Sequence, residues 1–411
     1  MMGLIDHCRV CNSPNLKPFF DLGSQPLANS LPAGPDEKEN YYPLSLSWCA
    51  DCNLVQLDYT VDPKILFDEY VWVTGTSGVA QKYSQTFADE LIARVPKEDG
   101  YVLEVASNDG TFLFPFIEKG YKVLGVDPAK NIAEMAEKAG APTLCAFWSE
   151  AEAEKLVSER GKAKAIFARN VLPHVANTVD FVKGLARALS DDGTLAIEAH
   201  YAKIILEGLH YDSIYHEHLC YFTLKSLEKL LNDSGLFVFD IMTSPISGGS
   251  MVVYAKKSRG EESALLKSYR DNEEKIGLNS FASWQGFAAR SISHRDKLNE
   301  MLDEAKKSDP NGLVVGYGAS ARSSTLLNFC GINRSRLPVI ADKNPLKQGR
   351  YTAGSRIPIE KPEAVMARKP THVFILAWNF EEEIRNYLEK DFGFKGTYIV
   401  PLPNDPRIIK T

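Results

Sequence analysis

The chain has 411 residues, 24% of them charged, with 47 Lys and Arg against 53 Asp and Glu and a formal net charge of -6. That length exceeds one ordinary domain and predicts two or three. No Lys/Arg block is long enough to track a phosphate backbone, so nucleic acid is not expected as a partner. The start of the chain is neither basic nor followed by a long apolar segment, so a cytoplasmic protein with no membrane partner is expected.

The first element is a module over residues 1–75, carrying Cys8-Arg-Val-Cys11 and Cys49-Ala-Asp-Cys52. In a reducing compartment two such pairs read as metal ligands, and four thiolates enclose a tetrahedral zinc with no open position, which makes the site structural. A redox pair or uncoordinated cysteines are the other readings. The 37 residues between the pairs must hold an inserted loop, and Pro14, Pro18, Pro26, Pro32, Pro35 and Pro43 exclude long helices there. Cys145, Cys220 and Cys330 are isolated and expected to be packed.

Residues 76–258 read as alternating helices and strands. Residues 102–105 are a short apolar strand; Ala106, Ser107, Asn108, Asp109 and Gly110 make a tight turn before a helix that opens at Thr111. Residues 123–126 are the next strand, closed by Asp127 and Pro128, an acid placed to accept from ribose hydroxyls. Glu104 adds a second fixed carboxylate. A nicotinamide dinucleotide would need glycine amides around its pyrophosphate, and Asp109 would repel it. S-Adenosyl-L-methionine has no phosphate and carries two cationic groups, so methyl transfer is favoured over hydride transfer. The bland alternative is a sheet edge with an ordinary Asn-Asp-Gly turn.

Further strands are expected at 165–168 and 193–198, with an amphipathic helix at 179–189 between them. Thr223 caps a helix with Leu224, Leu227, Leu230 and Leu231 on one face, ended by Gly235. Strands at 237–242 and 250–255 form a terminal antiparallel pair. Residues 259–411 contain a solvated helical connector, to about 308, and a second α/β unit. There the strand from Val314 enters a turn, Gly316-Tyr317-Gly318-Ala-Ser320-Ala321, that matches G-x-G-x-x-A. This turn could hold the phosphates of a nucleotide substrate or a nicotinamide cofactor, or serve only close packing. Strands at 337–341, ended by Asp342, and at 373–377 follow.

Only eight His are present, yet Tyr215-His216-Glu217-His218 groups two of them beside a Tyr and a Glu. A polar loop or a metal site would explain this, but general acid/base chemistry fits better, because His titrates near neutrality and Glu can orient it. His174 and Asn170 follow the 165–168 strand and His200 follows the next, on the edge where open α/β sheets place ligands.

With these motifs the chain resembles the three-domain C-methyltransferases that act on nucleotide-linked 4-keto-deoxyhexoses. The resemblance rests on the double Cys-x-x-Cys, Ser107-Asn-Asp-Gly110, Asn170-Val-Leu-Pro-His174, Tyr215 to His218, Gly316-Tyr-Gly-Ala, Asp342-Lys343 through Arg350, and Ala377-Trp-Asn-Phe380. It implies an α/β protein with a zinc module, a class I methyltransferase domain and a C-terminal Rossmann-like domain that helps hold the nucleotide. Catalysis would fall to Tyr215 or His218 as base, with Glu217 orienting and His174 near the keto or hydroxyl groups. The cofactor would be held by Glu104, Ser107, Asn108, Asp109, Gly110, Asp127, Pro128 and Asn170, with Thr76 and Ser77 lining its carboxylate. Tyr70, Trp72, His200, Tyr317, Gly318, Ser320, Arg322, Lys343 and Arg350 would meet the substrate, a nucleotide-diphospho sugar carried by dTDP, or by GDP or UDP. A monomer is expected. Trp72 stands where the family has Tyr, and Ser320, Arg322 and Ser323 depart from its Pro-Ala-Lys-Gly type of turn.

Overall fold

The computed structural model describes residues 2–67, 73–95, 100–246 and 249–411. The expected α/β architecture is present: among the described residues three larger sheets and a two-stranded ribbon, Gly3–Leu4 with Tyr59–Thr60, are joined by one core cluster that spans the chain, with a second on the central sheet.

The N-terminal module is an antiparallel sheet of Leu16–Pro26, Tyr41–Cys49 and Val55–Leu57, and its fourth strand, Cys220–Tyr221, comes from the middle of the chain. The boundary near residue 75 is therefore crossed by a strand that begins two residues after His218. Burial of Leu44, Leu46, Val55 and Leu57 on this sheet removes their apolar surface from water and fixes its register.

The central sheet has seven strands, which numbered in their own chain order lie 3-2-1-4-5-7-6. All are parallel except Ser250–Lys256, which runs antiparallel to Leu189–His200 and Phe237–Ser244. The inner strands Tyr101–Val105 and Ala163–Arg169 read as apolar runs because helices cover both faces. A short edge strand, Thr143–Cys145, completes the sheet. Being an edge strand, it leaves Cys145 exposed, contrary to the expected packing, whereas Cys220 and Cys330 are buried.

The C-terminal sheet orders Ile359–Glu360, Ile340–Ala341, Val314–Tyr317, His372–Ile375, Thr397–Val400 and Arg407–Lys410, with only the last antiparallel. The expected 337–341 strand shortens to Ile340–Ala341. The connector also differs from expectation. Its long helix, Phe281–Ser308, buries Trp284, Phe287, Ala288, Ser291, His294, Leu298 and Leu302 along one face, a spacing of three and four residues that marks an amphipathic helix. Phe287 meets Phe20 edge-on at 5.9 Å, and Trp284 lies 6.1 Å from Phe19, so this helix packs on the metal module rather than in solvent.

Candidate active site

The four cysteines form a cage. Both Cys-x-x-Cys pairs are followed by Asn, and Asn12 and Asn53 take left-handed φ of 57° and 64°, so each pair sits in the same tight knuckle. Their Sγ atoms all lie within 4.8 Å of one another, with Cys8 to Cys52 at 3.4 Å and Cys11 to Cys49 at 3.6 Å. Zinc bound at ~2.3 Å by four thiolates requires tetrahedral edges of ~3.8 Å, so the cage fits a closed structural zinc.

In the turn after Tyr101–Val105, Ala106, Asn108 and Gly110 have φ of 61°, 49° and 81°. Gly110 is doubly required, since a Cβ there would also stand 2.5 Å from the Ala141 Cβ. Asp127 braces the turn by accepting from the Asn108 N–H at 2.9 Å and from the Ala129 N–H at 3.0 Å. The Asn108 and Asp109 side chains take a role not foreseen: they accept from the backbone N–H groups of Thr74 at 2.8 Å and Gly75 at 2.9 Å. They tie residues 74–76 to the turn instead of simply presenting themselves to a ligand. Thr76 Oγ1 donates to Val73 and Ser77 caps the helix Gly78–Ile92, so both hydroxyls are used locally. Pro128 follows the brace, and its carbonyl meets the Cys145 thiol. Ser107 Oγ is buried beneath Gly125.

Beneath the turn lies an ion pair absent from the sequence reading. Arg169 donates to Glu198 at 2.7 Å, with side-chain exposures of 8% and 0%, and its guanidinium lies 3.1 Å from the Phe112 ring centre. Glu198 also accepts from Ser244 at 2.6 Å and from Asn170 at 3.4 Å. Glu104 is enclosed, one of its oxygens has no partner among the described residues, and burial holds it well above the carboxylate range against the pull of Arg169. Glu104 thus feels three further carboxylates, Asp109, Asp127 and Glu198, against one guanidinium. This acidic crevice suits a sulfonium and an ammonium and opposes a pyrophosphate.

On the same sheet edge, Tyr215 and His218 form a pair. His218 Nδ1 lies 2.8 Å from the Ser213 carbonyl, which can only accept, so Nδ1 carries the proton. His218 Nε2 is then the acceptor of the Tyr215 O–H at 2.7 Å. The His174 ring stands edge-on to His218, 4.9 Å between centres. Burial lowers both, His174 to about 4, so both are neutral near pH 7. Glu217 does not orient His218. Its carboxylate turns to the metal module and accepts from Asn29 at 2.6 Å, while His216 Nε2 faces the Tyr42 and Pro43 carbonyls. Desolvation pushes Glu217 up to about 6.

The C-terminal domain closes this edge. Arg322 donates twice to Asp212, at 3.1 and 3.0 Å, and Trp378 Nε1 donates to Asp212 at 2.8 Å. His210 packs on Trp378 with ring centres 4.7 Å apart, and His200 lies 6.3 Å from His210. The glycine turn does not offer its amides to a phosphate, because Asp342 already accepts from the Ala319 N–H at 2.7 Å. Gly318 is set by packing, with a Cβ there 2.4 Å from the Ala377 Cβ, and Ser320 caps the helix Ala321–Cys330. The Tyr317 hydroxyl is buried, Lys343 lies 3.4 Å above the Tyr387 ring, and Arg350 donates to Leu31 of the metal module. Arg322 and His200 therefore join the site, while Tyr317, Gly318, Ser320, Lys343 and Arg350 hold structure in this state. Tyr70 and Trp72 lie outside the described residues. Asn29, Arg169, Glu198, His210, Asp212 and Trp378 were not singled out as site residues. Arg169 and Glu198 had a signal: Arg169 directly follows the apolar run 165–168, and Glu198 interrupts the apolar run 195–199.

Three family models match in succession: a putative zinc binding domain at residues 8–67, a methyltransferase domain at 80–240 and a C-methyltransferase C-terminal domain at 245–403. Solved structures with weak overall similarity include magnesium protoporphyrin IX methyltransferase from Synechocystis PCC 6803 with S-adenosylhomocysteine, 14% identical over 48% of this chain and 100% of that one, TM-score 0.37. The CcbJ methyltransferase from Streptomyces caelestis is also 14% identical, over 47% of this chain and 96% of that one, TM-score 0.35. The C-methyltransferase NovU of Streptomyces niveus is 32% identical over 98% of this chain and 97% of its own length. With that relative spanning nearly the whole length and all three models in order, the chain belongs to the three-domain, S-adenosylmethionine-dependent C-methyltransferases that carry a zinc-binding N-terminal module.

Proposed function

We propose that the acceptor is a nucleotide-diphospho-4-keto-6-deoxy sugar, with dTDP the first nucleotide to test, and that methylation occurs at C-3. The observation that carries this reading is the Tyr215–His218 pair, whose tautomer leaves His218 Nε2 unprotonated and able to take the phenol's proton as the phenol oxygen takes another. Methylation at carbon needs such a base, because a C–H bond is not nucleophilic until its proton leaves; a ketone at C-4 acidifies C-3. Tyr215 takes the C-3 proton as its own passes to His218 Nε2, and the Ser213 carbonyl steadies the imidazolium that forms. The freed electron pair makes the enolate. S-Adenosylmethionine, when bound, would supply the methyl group to that carbon and leave as the neutral thioether. Glu104, Asp127 and the turn through Gly110 position the methyl donor, Asn170 borders both sites, and His174 steadies His218 at its edge.

Incubation of the full chain with dTDP-4-keto-6-deoxyglucose and S-adenosylmethionine, followed by mass spectrometry and NMR, should give a product heavier by one methyl group, with the new carbon on C-3. Methyl on oxygen or nitrogen would overturn the carbon-acid reading. Loss of C-3 deuterium exchange in Tyr215→Phe and His218→Asn would assign the base to this pair; unchanged exchange in both would refute that assignment.

A further inference from the structure

Beside the Tyr215–His218 pair lies a second polar cluster that the proton transfer does not use. Arg322 comes from the first turn of Ala321–Cys330, Asp212 and His210 from the turn around Tyr211–Ser213, and His200 from the end of Leu189–His200. His200 Nε2 and His210 Nδ1 are both buried with no partner among the described residues. Arg322 gives Nε and Nη2 to Asp212, and its Nη1 donates to no group among the described residues. Room for the His210 ring is kept by Gly208, where a Cβ would stand 2.4 Å from its Nε2. The cluster lies close to the Tyr215–His218 pair, since Arg322 and His200 both act on His218 electrostatically.

Its charge decides what it can take. Asp212 balances Arg322, and burial keeps His200 and His210 neutral. A dianionic diphosphate would find no spare positive charge there. A single oxygen, neutral at first and charged later, would meet the Arg322 guanidinium and two buried ring nitrogens, His200 Nε2 and His210 Nδ1, that no described partner occupies.

Building on the carbon-acid reading, we propose that Arg322, His200 and His210 form an oxyanion site for the acceptor's carbonyl oxygen. As Tyr215 removes the neighbouring proton, the C–H pair becomes the C=C bond and the carbonyl π pair moves onto oxygen, toward these donors. On formation of the C–C bond the pair returns to C=O. Arg322 is held by Asp212, and His210 packs on Trp378, so little reorganisation of these two accompanies the charge.

The test uses the full zinc-loaded chain with dTDP-4-keto-6-deoxyglucose. His200→Leu, His210→Leu and Arg322→Met are each expected to lower kcat about 10²-fold. C-3 exchange without methyl donor should fall in parallel, while KM, S-adenosylmethionine affinity and thermal midpoint stay near wild type. Raised KM at unchanged kcat would overturn the proposal in favour of ground-state binding. A lowered midpoint with loss of methyl-donor binding would overturn it in favour of a domain latch. If Arg322→Met does not fold, the His variants and Arg322→Lys decide, and undiminished kcat in all of them refutes the oxyanion role. Failure of wild-type protein to exchange or methylate the ketone sinks the carbon-acid reading itself, a result distinct from failure of the variants alone.

Discussion

Replacing Arg169 by Met tests the electrostatic design of the cofactor crevice. Met keeps much of the side chain's contact with Phe112 but leaves Glu198, fully buried, with only Ser244 and Asn170 as donors. It also removes the cation that opposes the desolvation of Glu104. Breaking one partner of a buried pair costs ~3–5 kcal/mol. At ~2–4 °C per kcal/mol for a domain of this size, the transition of the methyltransferase domain should fall by roughly 6–20 °C. The sign of the pH dependence follows from Glu104. Its folded pKa is raised, so it favours the folded state at low pH, and that contribution is lost as pH rises through the raised value. Arg169→Met raises it further. The deficit should therefore grow as pH rises through the raised value, as read by calorimetry across pH. A deficit under ~1 kcal/mol, or one that shrinks as pH rises, would refute the claim that Arg169 holds these carboxylates in place.

Gly110→Ala forces a Cβ to 2.5 Å from Ala141 at φ 81°, so the turn must shift; S-adenosylmethionine affinity by calorimetry should fall at least tenfold, and wild-type affinity would show that the turn does not hold the donor. Glu217, raised to about 6 by desolvation, stabilises the fold at low pH and loses that contribution as pH rises from ~4.5 through ~6, about 2 kcal/mol in all. Glu217→Gln can still accept from Asn29, so its midpoint should exceed wild type at pH 8 and match it at pH 4; equal midpoints at both would refute the shift. Stripping zinc with a chelator should release the metal with four free thiols and raise KM for the acceptor more than it changes S-adenosylmethionine affinity, because Asn29 and Tyr42 touch the loop at residues 216–217. Unchanged acceptor kinetics in verified apo-protein would contradict that coupling.

Much of the fold was legible because apolar runs of fixed period mark parallel strands and their helices: the 102–105, 123–126 and 165–168 strands all appear, as does the capped helix from Leu224. The long helix Phe281–Ser308 was misjudged because its charged face dominates the composition, while the partner of its apolar stripe, Phe19 and Phe20, lies over 260 positions away. In the site, the cysteine cage and the Tyr215–His218 pair were readable from local spacing. The partners of Glu217 and Arg322 were not. Asn29 lies 188 positions from Glu217 and Asp212 lies 110 from Arg322, and no local pattern selects a polar partner at such a distance. The glycine turn left phosphate binding and close packing both open for a related reason: its Ala319 amide donates to Asp342, a strand away.

The loop at residues 215–221 explains why three domains serve one reaction. His216 and Glu217 face the zinc module, and Cys220–Tyr221 becomes an edge strand of that module's sheet. Tyr215 and His218 face the opposite way, toward His174 on the cofactor sheet. Thr325 of the C-terminal domain donates to the Ile214 carbonyl at 2.8 Å, and Arg322 fixes Asp212 just before it. A base must meet a C–H bond within a few tenths of an ångström of a productive position, and a free loop on one domain would not hold that. Neighbouring residues are gripped by different domains, so the position of the proposed base becomes a property of the closed assembly rather than of the loop. By the same logic, a substitution at the contact of Asn29 with Glu217 should move acceptor kinetics while leaving S-adenosylmethionine affinity unchanged.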